Sequence, residues 1–107
     1  MPSYQLATYH VFYKPGGENP FIYAKDALGH MRAYMVFLDN DADLPESQEL
    51  SSQGETFYRL HYHRDQFPAV IDILRNEKPV YVFYSNPTYA HICTSAEPVG
   101  EEELELP

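Results

Sequence analysis

Four residues of this chain invite a metal ion. His61 and His63 stand two positions apart in the stretch Arg59–His63, and His91 and Cys93 repeat that spacing further on. Side chains two apart on a strand share a face. If strands 56–63 and 88–95 were neighbours, opposed Cβ atoms would lie about 5 Å apart. Three imidazoles and a thiolate would then meet the tetrahedral preference of zinc. The spacing matches none of the usual zinc motifs, so the whole expectation rests on those two strands being adjacent. The plainer account is two pairs of polar residues on the wet side of a sheet.

The same stretch carries a second constellation. Arg59, His61, His63 and the adjoining Arg64 concentrate positive potential on an acidic chain. Such a stripe could receive a carboxylate or phosphate through charge-assisted hydrogen bonds. Its expected occupants are the acidic tail, Glu101 to Glu105, or an acidic partner. A third candidate, Asp39, Asp41 and Asp43, follows the first positions of a calcium loop. The match then fails, because Leu44 stands where the sharp turn needs Gly and Leu50 where a bidentate Glu is required. Weak cation binding by the clustered carboxylates is all that this stretch suggests.

No catalytic constellation is legible. Gly16-Gly17 lies in a proline-flanked turn and makes no phosphate loop, and neither His-Glu-x-x-His nor Gly-x-Ser-x-Gly occurs. Cys93 with a neighbouring imidazole could make a thiolate pair, but a lone strand cysteine usually packs as a small hydrophobe.

The elements that must position these residues follow from length and pattern. A chain of 107 residues suits one domain, read as residues 1–100 with an acidic tail at 101–107. The formal net charge of −9 repels phosphate backbones and anionic membrane surfaces, so neither nucleic acid nor membrane is expected as a partner. One cysteine, no basic-then-apolar leader and no apolar run of membrane-spanning length give a soluble, cytoplasmic expectation.

Residues 4–13 alternate without a clean polar side and read as one strand covered on both faces. "FIYAK" and "MRAYMVFL" read as a hairpin about Gly29, with a helix over 24–38 as the rival. The polar stretch 39–55 reads as a surface loop, long for a structureless connection. Residues 56–63 form the next strand, with Tyr58, Leu60 and Tyr62 on its apolar side. Phe67, Val70, Ile71 and Leu74 sit at i, i+3, i+4 and i+7, predicting a helix over about 65–77 with Asp65 as N-cap and Pro68 in the first turn. A hairpin about Asn86-Pro87 closes the fold.

The expected class is therefore α+β: a twisted antiparallel sheet or small, partly open barrel of five to six strands, with one helix packed on it. This element order resembles that of an OB-fold, and order alone assigns no function. Ten tyrosines are the remaining signal. Tyr58, Tyr62, Tyr81, Tyr84 and Tyr89 exceed what one sheet face and one helix hide, and tyrosine favours interfaces. The expected function is a small, non-enzymatic binding or protein-interaction module, self-associating through an aromatic sheet face. A metal-binding protein and a small-ligand barrel are the alternatives. Zinc is the one cofactor that the residues suggest.

Overall fold

The computed structural model describes residues 3–96. Its strands fall into two sheets, and the first segment shows how. The expected strand 4–13 has no polar side because it serves both sheets: β1 (Ser3–Leu6) lies in one and β2 (Thr8–Phe12) in the other. The chain changes sheets at Ala7, whose N–H donates to the Lys25 carbonyl at 2.7 Å.

The hairpin of β3 (Phe21–Lys25) and β4 (Met31–Leu38) forms as expected, and the rival helix does not. The Asp26 carboxylate holds its turn by accepting from the backbone N–H groups of Leu28 and His30. The predicted loop 39–55 is corrected: it contains β5 (Gln48–Ser52). Gln53 and Gly54 both have positive φ, 53° and 81°, the two-residue turn that suits a tight hairpin into β6 (Glu55–His63). Polarity hid this strand, since an edge strand needs no apolar face.

β5 pairs with the outer side of β6, which leaves β6 beside β4 and parallel to it. The expectation of a purely antiparallel sheet is corrected at that one pair. The larger sheet runs β2-β3-β4-β6-β5. The smaller is β1-β7-β8, built from β7 (Val80–Asn86) and β8 (Tyr89–Thr94). Neither strand order closes on itself, so the architecture is two open sheets with one helix.

Arg64–Gln66 makes a single 3₁₀ turn before α1 (Phe67–Asn76). Asp65 is not the helix cap. Gln66 holds that position, and the Asp65 N–H donates instead to Asn40 Oδ1 at 2.9 Å. The predicted stripe does face the core: Val70 is buried, and Phe67, Ile71 and Leu74 pack against the same cluster. The Phe67 ring meets Phe37 edge-on at 4.8 Å.

The core lies between the sheets. β3 contributes Ile22 and Ala24, β4 Ala33, Met35 and Phe37, β6 Tyr58 and Leu60, and β7 Val82. Alternation then sends the intervening residues of β3, β4 and β6 to the opposite face. That outward face positions the candidate site.

Candidate interaction surface

Strand register sets the outward residues in rows. One row is Phe12, Phe21, Val36 and His61; the next is His10, Tyr23, Tyr34, Arg59 and Gln48. The rings touch in sequence. Phe12 stacks on Phe21 at 4.7 Å, Phe21 meets Tyr23 at 5.3 Å, and Tyr23 meets Tyr34 at 4.9 Å. The Arg59 guanidinium stands 4.9 Å from the centre of the Tyr34 ring, within cation–π range. These rings are half-buried. The smaller sheet and α1 both pack on the other face of the sheet. Neither row contains an Asp or Glu, although the chain carries sixteen. A face of stacked rings with Arg, His and the neighbouring Lys25 can receive apolar groups together with carboxylates.

The positive stripe is divided by the fold. Arg59 and His61 lie on this face. His63 and Arg64 hold the loop that crosses the end of β6: His63 Nε2 bonds the Ala42 carbonyl at 2.9 Å, and Arg64 Nε lies 3.5 Å from Asp39 Oδ1. Arg64 also donates to the Gly17 carbonyl and to Asn19 Oδ1. Asp39 therefore has an arginine partner rather than standing as the first ligand of a cation loop. Burial pushes the His61 imidazole below its ordinary pKa; the Arg59 charge adds to this and the Pro45 carbonyl opposes it. Arg59 Nε and His61 Nδ1 are shielded from solvent and have no hydrogen-bond partner among the described residues. Glu101 to Glu105, the expected occupant, lie outside the described residues.

The four residues of the metal expectation are not brought together. His61 and His63 belong to β6 of the larger sheet, His91 and Cys93 to β8 of the smaller, and these strands do not pair. Each pair faces away from the shared core, so the two sheets stand between them. Among the described residues no three His, Cys, Asp or Glu side chains group closely enough to hold a metal ion.

Of the five tyrosines, which one sheet face and one helix were expected to hide only in part, three are inside. Tyr58 is buried, and Tyr62 and Tyr84 pack against the core. Tyr58 stacks on Tyr84 at 4.7 Å and lies 6.1 Å from Tyr4. Its hydroxyl donates to Glu49 Oε2 at 3.3 Å. Burial above all, with Tyr4 and Glu49 beside it, pushes this hydroxyl up to about 12, and burial does the same to Tyr62. Beside Tyr58 a bulge in β4 leaves Arg32 without a cross-strand partner and re-aims it. Arg32 reaches Asp26 at 2.9 Å, the Thr56 carbonyl at 3.0 Å and the face of Tyr4 at 3.9 Å, tying the larger sheet to β1 of the smaller. Tyr81 and Tyr89 do face outward, on the smaller sheet, where Tyr89 clusters with Phe83 and His91.

Sequence reading missed Phe12, Phe21, Tyr23 and Tyr34. The signal was present in β3 and β4. Ile22, Ala24, Ala33, Met35 and Phe37 form one alternating set, which leaves Phe21, Tyr23 and Tyr34 for the opposite side.

The site and fold together define a two-sheet α+β domain whose larger sheet shows an aromatic, cation-bearing outer face. No protein-family model matches the chain, and no curated protein and no solved structure matches it either.

Proposed function

We propose that this domain is a binding module that takes a protein partner on the outer face of its larger sheet. The observation that carries this reading is the run Phe12–Phe21–Tyr23–Tyr34 ending on Arg59, on the face away from the core. Interfaces concentrate binding energy in aromatic and arginine anchors surrounded by weaker contacts. The partner presents apolar side chains with carboxylates close by, because the face carries Arg59, Lys25 and histidines and its two central rows carry no acid. Charge pairs at such a rim weaken with salt.

Selection from an unbiased displayed-peptide library tests this with the full chain as bait. The expected sequences combine aromatic or aliphatic residues with Asp or Glu, and their binding shifts the NMR signals of Tyr23, Tyr34 and Arg59. Peptides that are enriched without acids, or that map to the smaller sheet, would remove this reading.

A second reading, a small-ligand site, has one observation in its favour. A cavity of about 440 Å³ lies where β1 hands over to β2, against the end of α1, lined by Leu6, Tyr9, Leu74, Arg75, Lys78 and Val80. That volume falls in the range of small-molecule pockets. It sits at a corner between sheet and helix rather than inside a barrel. Ligand-observed NMR with small carboxylic acids tests it, the expected result being shifts at Leu74 and Val80.

A further inference from the structure

β2 is the outermost strand of the larger sheet, and no described strand pairs with its outer side. An edge of this kind presents unpaired backbone N–H and C=O groups. Natural edges are protected by charged residues, proline, bulges or a cover. β2 has none of these within itself: Thr8-Tyr9-His10-Val11-Phe12 has no Asp, Glu, Lys or Arg, contains no proline and runs in unbroken register with β3. The cover is also incomplete. Tyr9 and Val11 point to the core side of the sheet, yet they are 36% and 37% exposed, and Tyr13 just beyond is 69% exposed.

We propose that β2 pairs antiparallel with β2 of a second copy, about a twofold axis at His10, joining two five-stranded sheets into one of ten strands. The strand supplies its own complement. Pairing about His10 sets Tyr9 opposite Val11 twice on one face, the aromatic-to-β-branched pairing that sheets favour. Thr8 falls opposite Phe12 on the other face. Twofold pairing is closed, so the product is a dimer rather than a fibre. Two copies of net charge −9 repel one another, but the strand carries no Asp, Glu, Lys or Arg and sets only His10 against its own copy at the axis, so most of the repulsion acts at a distance and salt screens it. Five residues span only about 17 Å of strand. The contact therefore falls below the roughly 1,000 Å² of a stable interface, and the pairing is weak and transient.

This contact goes beyond the face reading and does not rest on it. It uses backbone groups and Tyr9 and Val11, which point away from Tyr23 and Tyr34. The two also respond oppositely to salt: pairing at the edge strengthens, binding at the face weakens.

Sedimentation velocity of the full chain, from about 10 µM to about 1 mM, tests the edge. The expected result is a monomer–dimer equilibrium that tightens with added salt. Val11→Lys weakens it at least tenfold with an unchanged thermal melt, and Tyr9→Lys does the same should Val11→Lys disturb folding. Tyr34→Ala leaves the dimer intact. A wild-type chain that stays monomeric over the whole range overturns the proposal. So does a dimer that survives both lysine variants, or one that is lost in Tyr34→Ala, which would move self-association to the face.

Discussion

The two edges of the larger sheet are similar in length and opposite in character. β5 is Gln48-Glu49-Leu50-Ser51-Ser52, polar and carrying an acid; β2 is Thr8–Phe12, aromatic and without Asp, Glu, Lys or Arg. Both are largely exposed. The difference continues inward. On the β5 side, Glu49 accepts the Tyr58 hydroxyl, and Tyr58 stacks on Tyr84 of the other sheet. On the β2 side, the same face of the sheet shows Tyr9 and Val11 to solvent. With length equal, side-chain chemistry is what separates a protected edge from an open one. The fold closes one edge with polar side chains and leaves the other as the border of the aromatic face.

Substitutions and titrations test the contrast between the two edges. The largest effect is expected at Arg32, which helps tie the sheets together beside Tyr58. Arg32→Ala removes an ion pair with Asp26, a bond to the Thr56 carbonyl and the contact with Tyr4, and leaves Asp26 with the Leu28 and His30 N–H groups but no arginine. A loss of about 2–3 kcal/mol in chemical denaturation is predicted. At the face, Tyr34→Ala is predicted to weaken a selected acidic peptide about tenfold by calorimetry, while stability changes less than for Arg32→Ala.

The β5 side is also open to titration. Tyr58 and Tyr62 are predicted to ionise only near pH 12, after exposed tyrosines, in an absorbance titration. A raised tyrosine pKa contributes stability that is present below the unfolded value near 10 and lost as pH rises towards 12. Glu49→Gln removes one cause of the Tyr58 shift and is predicted to lower that value.

His61 works in the opposite direction. Its depressed folded pKa means that the unfolded chain binds a proton first, so stability is lost as pH falls below about 6.5. His61→Gln is predicted to flatten that slope in thermal melts between pH 7 and 5. The smallest effect is expected from Val11→Lys on folding itself, within about 0.5 kcal/mol, because the side chain is already partly in water. Its effect belongs to association.

Much of the fold was legible because periodicity reports burial. The α1 stripe, the β3–β4 hairpin and the Tyr58–Leu60–Tyr62 core side all follow from alternation or helical spacing. β5 was not legible, since a polar edge strand leaves no apolar pattern; only the Gln53-Gly54 turn hinted at it. The change of sheet at Ala7 leaves a strand with no polar side, a pattern that alternation alone cannot tell from burial on both faces. The metal expectation fails on topology: residue spacing places His61 with His63 and His91 with Cys93, but not β6 beside β8. The aromatic face is hard to read because its rings alternate with the core set along β3 and β4, while the tyrosines nearest the core turn inward.

The most direct test is a dilution series of backbone amide shifts on the uniformly labelled chain. The account predicts concentration-dependent shifts along Thr8–Phe12 and at the adjoining β3 residues, with Gln48–Ser52 unchanged. Shifts confined to Gln48–Ser52 or to the outer side of β8, or equal movement at both edges, would contradict it.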